Sequence, residues 1–454
     1  TDSNSLNAKV MFSHSKAVWG WALYDWANSA FATTVMAGFF PIFFKQYWSA
    51  GSDVNLSTAQ LGLGNSLASL LVALMAPVLG AIADRGSYKK KFLTFFAYLG
   101  VLMTSCLYLV GEGNWMMAVL VYVLGIIGFS GANIFYDSLL PSLADESRFD
   151  SVSSLGFAMG YLGGGILFLL NVLMTLNPDW FGFSGAVEAI RWSFITVALW
   201  WGLFTVLTLV WVPEPGPAPD HVRGRSVAEG LIQLRQTFRE IRHLKTVMLF
   251  LFAYWFYIDG VDTIVRMAVD YGMSIGFEST DLITALLLVQ FVGFPAAIFF
   301  GWLGQRWGVK RSIFLAIAVY MAVTVWGMQM QEKFEFYLLA AVIGLVQGGI
   351  QALSRSYYTR LIPRNQAAEY FGFYNMLGKF AVIIGPALMG AVGLLVRRML
   401  MPDAPNEAEL AVIGQEAARW SIGSILILFA LGAVLLYFVD EEKGREEAQY
   451  LSDS

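Results

Sequence analysis

Long runs of apolar residues recur along the whole chain, and short segments rich in Gly, Pro or charged residues separate them. Each run has the roughly 20 residues that a helix needs to cross a hydrocarbon core of about 30 Å. Hydropathy and helix-breaking residues together predict twelve membrane-spanning helices. The predicted spans cover residues 17–46, 59–83, 92–111, 115–141, 152–176, 190–212, 246–272, 280–304, 312–330, 335–361, 370–396 and 418–440.

The composition agrees with this pattern. Hydrophobic residues make up 57% of the chain and charged residues 14%, whereas soluble domains have roughly 25% charged residues. We therefore predict an all-α integral membrane protein that is surrounded by lipids and has no nucleic-acid partner. The formal charge of -4 says little about partners, because the placement of Lys and Arg matters more in a membrane protein. The single cysteine, Cys106, excludes an intrachain disulfide.

The distribution of cations predicts the topology and the domain organisation. Most Lys and Arg, including Lys89 to Lys91, fall in segments on the same side of the spans as the N-terminus, so both termini are expected in the cytoplasm. The expected parts are a six-helix bundle over 1–212, a linker over 213–245, a second bundle over 246–440 and an acidic tail over 441–454. The linker begins with a Pro-rich stretch and continues either as a basic amphipathic helix or as a partly ordered segment.

The two predicted bundles are similar to each other in sequence. Asp25 and Asn28 in span one match Asp259 and Asp262 in span seven, with the same spacing of three. The segment 136–141 has a counterpart at 358–363. Gly80, Asp84, Arg85, Lys89 and Lys90 are repeated as Gly301, Gln305, Arg306, Lys310 and Arg311. Duplicated six-helix units are typical of transporters whose binding site lies between the two halves.

The segment from Gly80 to Lys91, with sequence GAIADRGSYKKK, resembles the signature loop between helices two and three of the major facilitator superfamily. Gln305 departs from this pattern in the second copy, where the superfamily has an acid. The segment 23–31, LYDWANSAF, is similar to the first helix of the vacuolar amino-acid effluxers of autophagy and their bacterial relatives. The first resemblance implies twelve helices in two pseudo-symmetric bundles and alternating access, with helices one, four, seven and ten lining the cavity. The second implies amino-acid-like substrates, and its bacterial members make a bacterial inner membrane the expected location.

Polar residues inside the spans concentrate in spans one, four, seven and ten. A charge at membrane depth costs at least ~2.5–3.5 kcal/mol, so such residues usually face a protein interior or an aqueous cavity. This segregation predicts that these helices form the wall of a solute pathway. The candidate substrate-binding or coupling residues are Asp25, Asn28, Asn133, Tyr136, Asp259, Asp262, Arg266, Gln347, Gln351 and Arg355.

Two of the acids are candidates for coupling transport to protons. Asp262 and Arg266 lie one helical turn apart, so they pair either as part of the site or as a purely structural ion pair. Asp259 then remains without an obvious local cation, and a lone buried carboxylate can take up and release a proton as its surroundings change. We therefore expect Asp259 or Asp25 to couple transport to protons. The three histidines lie outside the spans, which argues against a histidine relay.

Charged residues near the cytoplasmic ends of the spans predict a gate. Asp137 belongs to the first half, whereas Arg355 and Lys379 belong to the second. A salt bridge from Asp137 to either cation would hold the inner side shut. The alternative is that each charge is paired within its own half. Asp84 and Arg85 in the signature loop are expected to act as a conformational latch, or to serve topology.

Small residues at spacings of four occur in spans five and eight and permit close helix contact. These are Gly156, Gly160 and Gly164 in span five, and Gly293, Ala297 and Gly301 in span eight. Such stripes indicate either plain close packing or, as the resemblance to the superfamily implies, the interface that moves during transport.

The sequence therefore predicts a monomeric secondary active transporter for a small polar or zwitterionic solute. Protons or the solute gradient itself would drive it. The alternatives are an integral-membrane enzyme or flippase acting on lipid or cell-wall precursors, and a passive channel or receptor. The chain has no His-Glu-x-x-His motif and no glycine-rich nucleotide loop. We therefore expect no metal, no cofactor and no enzymatic activity.

Overall fold

The computed structural model describes residues 15–50, 54–215, 244–274, 278–330, 332–401 and 407–453. Most of the predicted linker, including its amphipathic helix, lies outside these ranges. The first helix, α1, begins as an α-helix over Lys16–Ala30 and continues through wider π-helical turns at Phe31–Phe39 and Phe44–Trp48. The other helices are α2 (Val54–Gly86), α3 (Lys89–Cys106), α4 (Trp115–Leu143), α5 (Phe149–Leu176), α6 (Ala186–Trp211), α7 (Lys245–Ser274), α8 (Ser279–Trp307), α9 (Val309–Gln329), α10 (Lys333–Leu361), α11 (Ala367–Leu400), α12 (Glu407–Tyr437) and α13 (Glu441–Asp453).

In the described part of the chain, twelve helices, α1 to α12, are long and apolar enough to cross a membrane. This finding confirms the predicted all-α fold and its number of spans. We call α1 to α6 the first half and α7 to α12 the second half. The terminal side is the side of the bundle on which α1 begins and α12 ends.

Each half has its own hydrophobic core. Trp21, Trp48 and Trp201 are fully buried in the first core, while Tyr257 and Tyr320 are fully buried in the second. Large aromatic side chains fill the space between helices in both cores, and they contribute the greatest apolar area per residue. Buried aromatic packing thus holds six helices together in each half.

The two halves meet along a seam formed by α2 against α11 and α5 against α8, with α10 packed on α5. Gly80 of α2 lies against the backbone of α11, where an added Cβ would collide with the carbonyl oxygen of Ala368 and lie 2.7 Å from the Cα of Glu369. Among the described residues, the hydrogen bonds and ion pairs that cross the seam lie between mid-helix and the terminal side. Close packing and polar contacts therefore shut the terminal side.

The glycine stripes of α5 and α8 occupy different interfaces. Gly301 and Gly293 of α8 pack on Ser154 and Tyr161 of α5 across the seam, as expected. The stripe of α5 instead faces α1 of its own half, because Cβ atoms at Gly156, Gly160 and Gly164 would meet Asp25, Ser29 and Thr33. For α5 the alternative of a moving interface was thus wrong, and the stripe serves packing within its own half. The spacing showed that a helix is packed closely, but not which neighbour it contacts.

We expect Gly80→Ala to destabilise the closed terminal side by about 1–3 kcal/mol, because the methyl group overpacks the contact with α11. Gly62→Ala is the matched control on the same helix, since nothing lies within 4 Å of a Cβ at Gly62. Thermal unfolding of the detergent-purified variants should show a lower melting temperature for Gly80→Ala only. Equal melting temperatures for the two variants would contradict the tight contact.

Candidate functional site

A cavity of about 350 Å³ lies between the two halves, near the middle of the helices that line it. Polar side chains from α1, α4 and α10 line it, together with residues of α5, α7, α8 and α11. Eight of the candidate binding, coupling and gate residues line this cavity. They are Asp25, Asn28, Asn133, Tyr136, Asp137, Gln347, Gln351 and Arg355.

Arg355 of α10 forms the floor of the cavity on the terminal side, and its side chain is almost fully buried. Its Nη1 lies 3.0 Å from Oδ1 of Asp137 and 3.6 Å from Oδ2 of Asp25. Its Nε donates a hydrogen bond to the Ser153 hydroxyl at 2.9 Å, and its Nη2 donates to the Ser153 carbonyl at 2.8 Å. The predicted contact of Asp137 with Arg355 across the seam is therefore present.

Three aromatic rings surround the Arg355 guanidinium. Its Cζ lies 4.8 Å from the ring centre of Trp21, 5.4 Å from that of Tyr136 and 4.4 Å from that of Phe157. A cation within about 6 Å of an aromatic face is attracted by the ring quadrupole, and more strongly where water is excluded. The rings therefore help to stabilise a charge that has little access to solvent.

Hydrogen bonds between α1 and α4 fix the acids of the site. Tyr136 donates to Oδ2 of Asp25 at 2.8 Å, and Asn28 donates to Asn133 at 2.6 Å. Asn375 of α11 donates to Oδ2 of Asp137 at 3.4 Å. Each carboxylate thus has a neutral donor as well as the guanidinium, which is the usual requirement for a buried charge.

A second cavity, of about 330 Å³ and mainly apolar, shares Ala32, Thr33, Gln290 and Gln347 with the first. It extends away from Arg355 toward Met330 and Phe336, at the end of the helices opposite the terminal side. The π-helical turns of α1 carry Ala32 and Thr33 on its wall. The space between the halves therefore has a charged floor and an apolar upper part.

Asp259 is not among the residues that line either cavity, and it is fully buried. Its two carboxylate oxygens accept a hydrogen bond from the backbone N–H of Gly385 at 3.0 and 3.1 Å, and Oδ1 accepts one from Thr263 at 3.1 Å. Gly385 precedes Pro386, which interrupts the hydrogen bonding inside α11. In this structure Asp259 therefore connects α7 to α11 next to its internal proline.

The remaining predicted residues lie elsewhere. Asp262 and Lys379 are partly buried and do not line the described cavities. The side chains of Arg266 and Arg85 lie outside the described part of the structure, so the predicted pair of Asp262 with Arg266 does too.

Asp84 lies at the seam on the terminal side. Its carboxylate accepts hydrogen bonds from the backbone N–H groups of Ala368 and Glu369 at 3.1 and 2.8 Å, and it pairs with Lys89 at 2.8 Å. The first N–H groups of a helix have no partner within the helix and carry partial positive charge. Asp84 thus joins α2 of the first half to the start of α11 in the second.

Several site residues were missed by the sequence analysis. Gln290 and Asn375 line the polar cavity from α8 and α11, outside the four helices that were expected to form it. Both are single amides within apolar spans, so the criterion applied to the other helices would have selected them. Phe157 and Ser153 gave no such signal, because aromatic and small residues are common throughout these spans.

Comparison with known proteins places the chain among transporters. A family model described as "Vacuole effluxer Atg22 like" matches residues 13–394. An uncharacterized MFS-type transporter of Bacillus subtilis (strain 168), YxiO, is 37% identical over 443 residues, which cover 95% of this chain and 97% of that protein. Autophagy-related protein 22 of Coccidioides immitis (strain RS) is 22% identical over 561 residues, covering 97% and 89%.

Solved structures support the fold. The proton:xylose symporter XylE, bound to 6-bromo-6-deoxy-D-glucose, superposes with a TM-score of 0.66 at 13% identity and covers 96% of this chain and 97% of its own. The transporter FucP in its outward conformation gives a TM-score of 0.65 at 12% identity, covering 94% and 100%. At such low identity these similarities concern the fold alone.

We expect Asp259→Ala to destabilise the protein by about 1–3 kcal/mol, because the buried N–H of Gly385 loses its acceptor. Asp259→Asn retains an acceptor oxygen and should be closer to wild type. Gly385→Ala should also destabilise, since its methyl group would collide with the Thr263 hydroxyl, whereas Gly390→Ala on the same helix meets nothing within 4 Å. Melting temperatures in detergent check this order, and wild-type stability of Asp259→Ala would contradict it.

Proposed function

The chain belongs to the vacuole effluxer Atg22-like family of major facilitator transporters, and on this premise we propose that it moves a small polar or zwitterionic, amino-acid-like solute by alternating access. Its relatives are transporters and not enzymes, so the chain is a transporter. Transporters of this superfamily bind small molecules between their two halves. Amino-acid-like specificity and secondary active transport are part of the proposal.

The observation that carries the proposal is the set of buried charges at the floor of the cavity. Arg355 faces Asp25 and Asp137 across the seam, and all three line the same cavity. A guanidinium can bind a carboxylate through two parallel hydrogen bonds, and a carboxylate can bind an ammonium group. These charges therefore complement both ends of a zwitterion, and the adjacent apolar cavity has room for a side chain.

The salt bridge between Asp137 and Arg355 is proposed as the gate on the terminal side. Removing one partner of a buried pair costs about 3–5 kcal/mol, because the other charge is left uncompensated. Opening this side must therefore replace the contacts that it breaks. Asp84, with its two hydrogen bonds to α11, and Arg85 beside it in the chain are proposed as a second latch at the same seam.

Proton coupling is proposed at Asp25. Two carboxylates, Asp25 and Asp137, share one guanidinium, so this part of the site has one negative charge more than it has positive charges. A proton from the cavity can neutralise that excess, and Asp25 lines the cavity. Asp259 could take the same role only after its hydrogen bonds to Gly385 break.

The proposed setting is the bacterial inner (cytoplasmic) membrane, with a monomer whose termini are both in the cytoplasm. The excess of Lys and Arg in segments on the terminal side supports this orientation. In that orientation the structure is closed toward the cytoplasm. The acidic tail, 441–454, then lies on the cytoplasmic face.

Purified protein in proteoliposomes should accumulate labelled amino acids, and an imposed pH gradient should raise the initial rate if protons are coupled. We expect Asp25→Asn to lose the dependence on the gradient, because the variant cannot take up a proton there. Gly62→Ala serves as the control with an unaltered cavity. An absence of uptake for every amino acid tested would refute the proposed substrate class, and uptake indifferent to the pH gradient would refute the coupling.

Charge reversal tests the gate. Asp137→Arg should reduce uptake by at least tenfold, which corresponds to about 1.4 kcal/mol, because two guanidinium groups would then face each other. Adding Arg355→Asp should restore part of the rate by re-forming the pair in the opposite sense. Lys379→Asp, added to Asp137→Arg in the same way, tests the other predicted partner of Asp137. Rescue by neither second substitution would exclude a gate made by these charges.

A further inference from the structure

Arg355 belongs to the second half of the protein, but the first half binds its guanidinium group. Its hydrogen bonds and ion pairs with described residues go to Ser153, Asp137 and Asp25. These three residues lie on α5, α4 and α1. The side chain therefore crosses the seam and binds in a pocket of the first half.

The pocket that receives Arg355 has the composition of a cation-binding site. It combines two carboxylates, one backbone carbonyl and one hydroxyl with the faces of Trp21, Tyr136 and Phe157. Carboxylates and aromatic faces together are a recurrent means of binding ammonium and guanidinium groups. Trp21 and Tyr136 stack at 4.4 Å between ring centres, and the Trp21 indole N–H donates to the Tyr136 carbonyl at 2.8 Å. The first half therefore holds this arrangement by its own contacts.

Alternating access requires the halves to part on the terminal side, and Arg355 then moves with α10. Its withdrawal leaves Asp25 and Asp137 in the first half without their cation. Two like charges in an aromatic pocket are unfavourable unless another positive group replaces the guanidinium.

Building on the proposed alternating-access function, we infer that the first-half pocket occupied by Arg355 is a cation subsite, and that the ammonium or guanidinium group of a solute takes the place of Arg355 there when the halves part. Arg355 is then a tethered competitor of the solute. Its return to the pocket expels the cation and closes the terminal side. A solute that also carries a carboxylate can pair with the displaced Arg355, whereas an anion without a positive group cannot occupy the pocket.

The first experiment removes the tethered competitor. Arg355→Ala should be stabilised against thermal unfolding in detergent by n-butylguanidinium and n-butylammonium, but not by n-butanol or butyrate, which match them in length. Adding Asp137→Asn should weaken the binding of both cations by at least tenfold, about 1.4 kcal/mol. The absence of stabilisation by either cation, or equal stabilisation by n-butanol, would overturn the inference.

A second measurement keeps Arg355 in place, in case Arg355→Ala does not fold. Ser154 is buried at the seam against Gly301, and its hydroxyl has no hydrogen-bond partner among the described residues. In a Cys106→Ser background, a maleimide should label Ser154→Cys at least twice as fast in the presence of n-butylguanidinium, because displacing Arg355 opens this seam. Unchanged labelling, or equal acceleration by n-butanol, would overturn the inference.

Phe157 provides the matched pair of variants for that measurement. Phe157→Leu keeps an apolar side chain but removes the aromatic face. It should therefore weaken the binding of n-butylguanidinium by up to about tenfold, as the loss of one ring contact implies. Phe157→Tyr keeps the face and should retain the effect. Identical responses of the two variants would contradict the aromatic part of the site.

The two proposals can fail separately. Uptake of amino acids without any binding of the cation probes would overturn the cation subsite and leave the proposed transport function in place. Binding of the cation probes without uptake of any amino acid would support the subsite and refute the proposed substrate class.

Discussion

A guanidinium group buried at membrane depth must be paired and hydrogen-bonded, and the arrangement of this protein follows from how Arg355 meets that requirement. No element of its own half contributes a described hydrogen bond or ion pair to the guanidinium. Asp25, Asp137 and Ser153 of the first half supply them instead. The Arg355 guanidinium therefore has these hydrogen bonds and ion pairs only while the two halves are in contact. This dependence couples the charge state of the cavity to the conformation of the protein.

Other contacts on the terminal side also hold the two halves close together around Arg355. Asp150 of α5 pairs with Arg360 at 2.8 Å and accepts a hydrogen bond from Ser356 at 2.6 Å. Asp84 holds the start of α11, where Gly80 allows the two backbones to approach. Contacts of this kind act together, because each becomes available only when the others have brought the helices within reach. The second cavity, which lies farther from the terminal side, is mainly apolar and has no comparable set of polar contacts across the seam among the described residues.

The cavity and the seam have some residues in common, so the proposed roles in transport and gating cannot be assigned to separate sets of side chains. Asp137 lines the cavity and also crosses the seam to Arg355. In the proposed mechanism, a solute that binds at the floor of the cavity alters this contact between the two halves. A ligand shifts a conformational equilibrium only by its different affinity for the two states. In the proposed cation subsite, that difference would come from the exchange of one buried charge for another.

The sequence by itself determined the twelve helices, the duplicated halves and most of the polar cavity. Hydrophobic length is set by the membrane, and a buried acid such as Asp25 is recognisable because it is so unfavourable in lipid. Only the tertiary structure decided that Arg355 contacts Asp137, that Asp259 binds the backbone of Gly385 away from the cavity, and that the glycines of α5 face α1. Helical periodicity specifies which residues share a face of a helix, but the neighbour that covers this face depends on how all the helices pack.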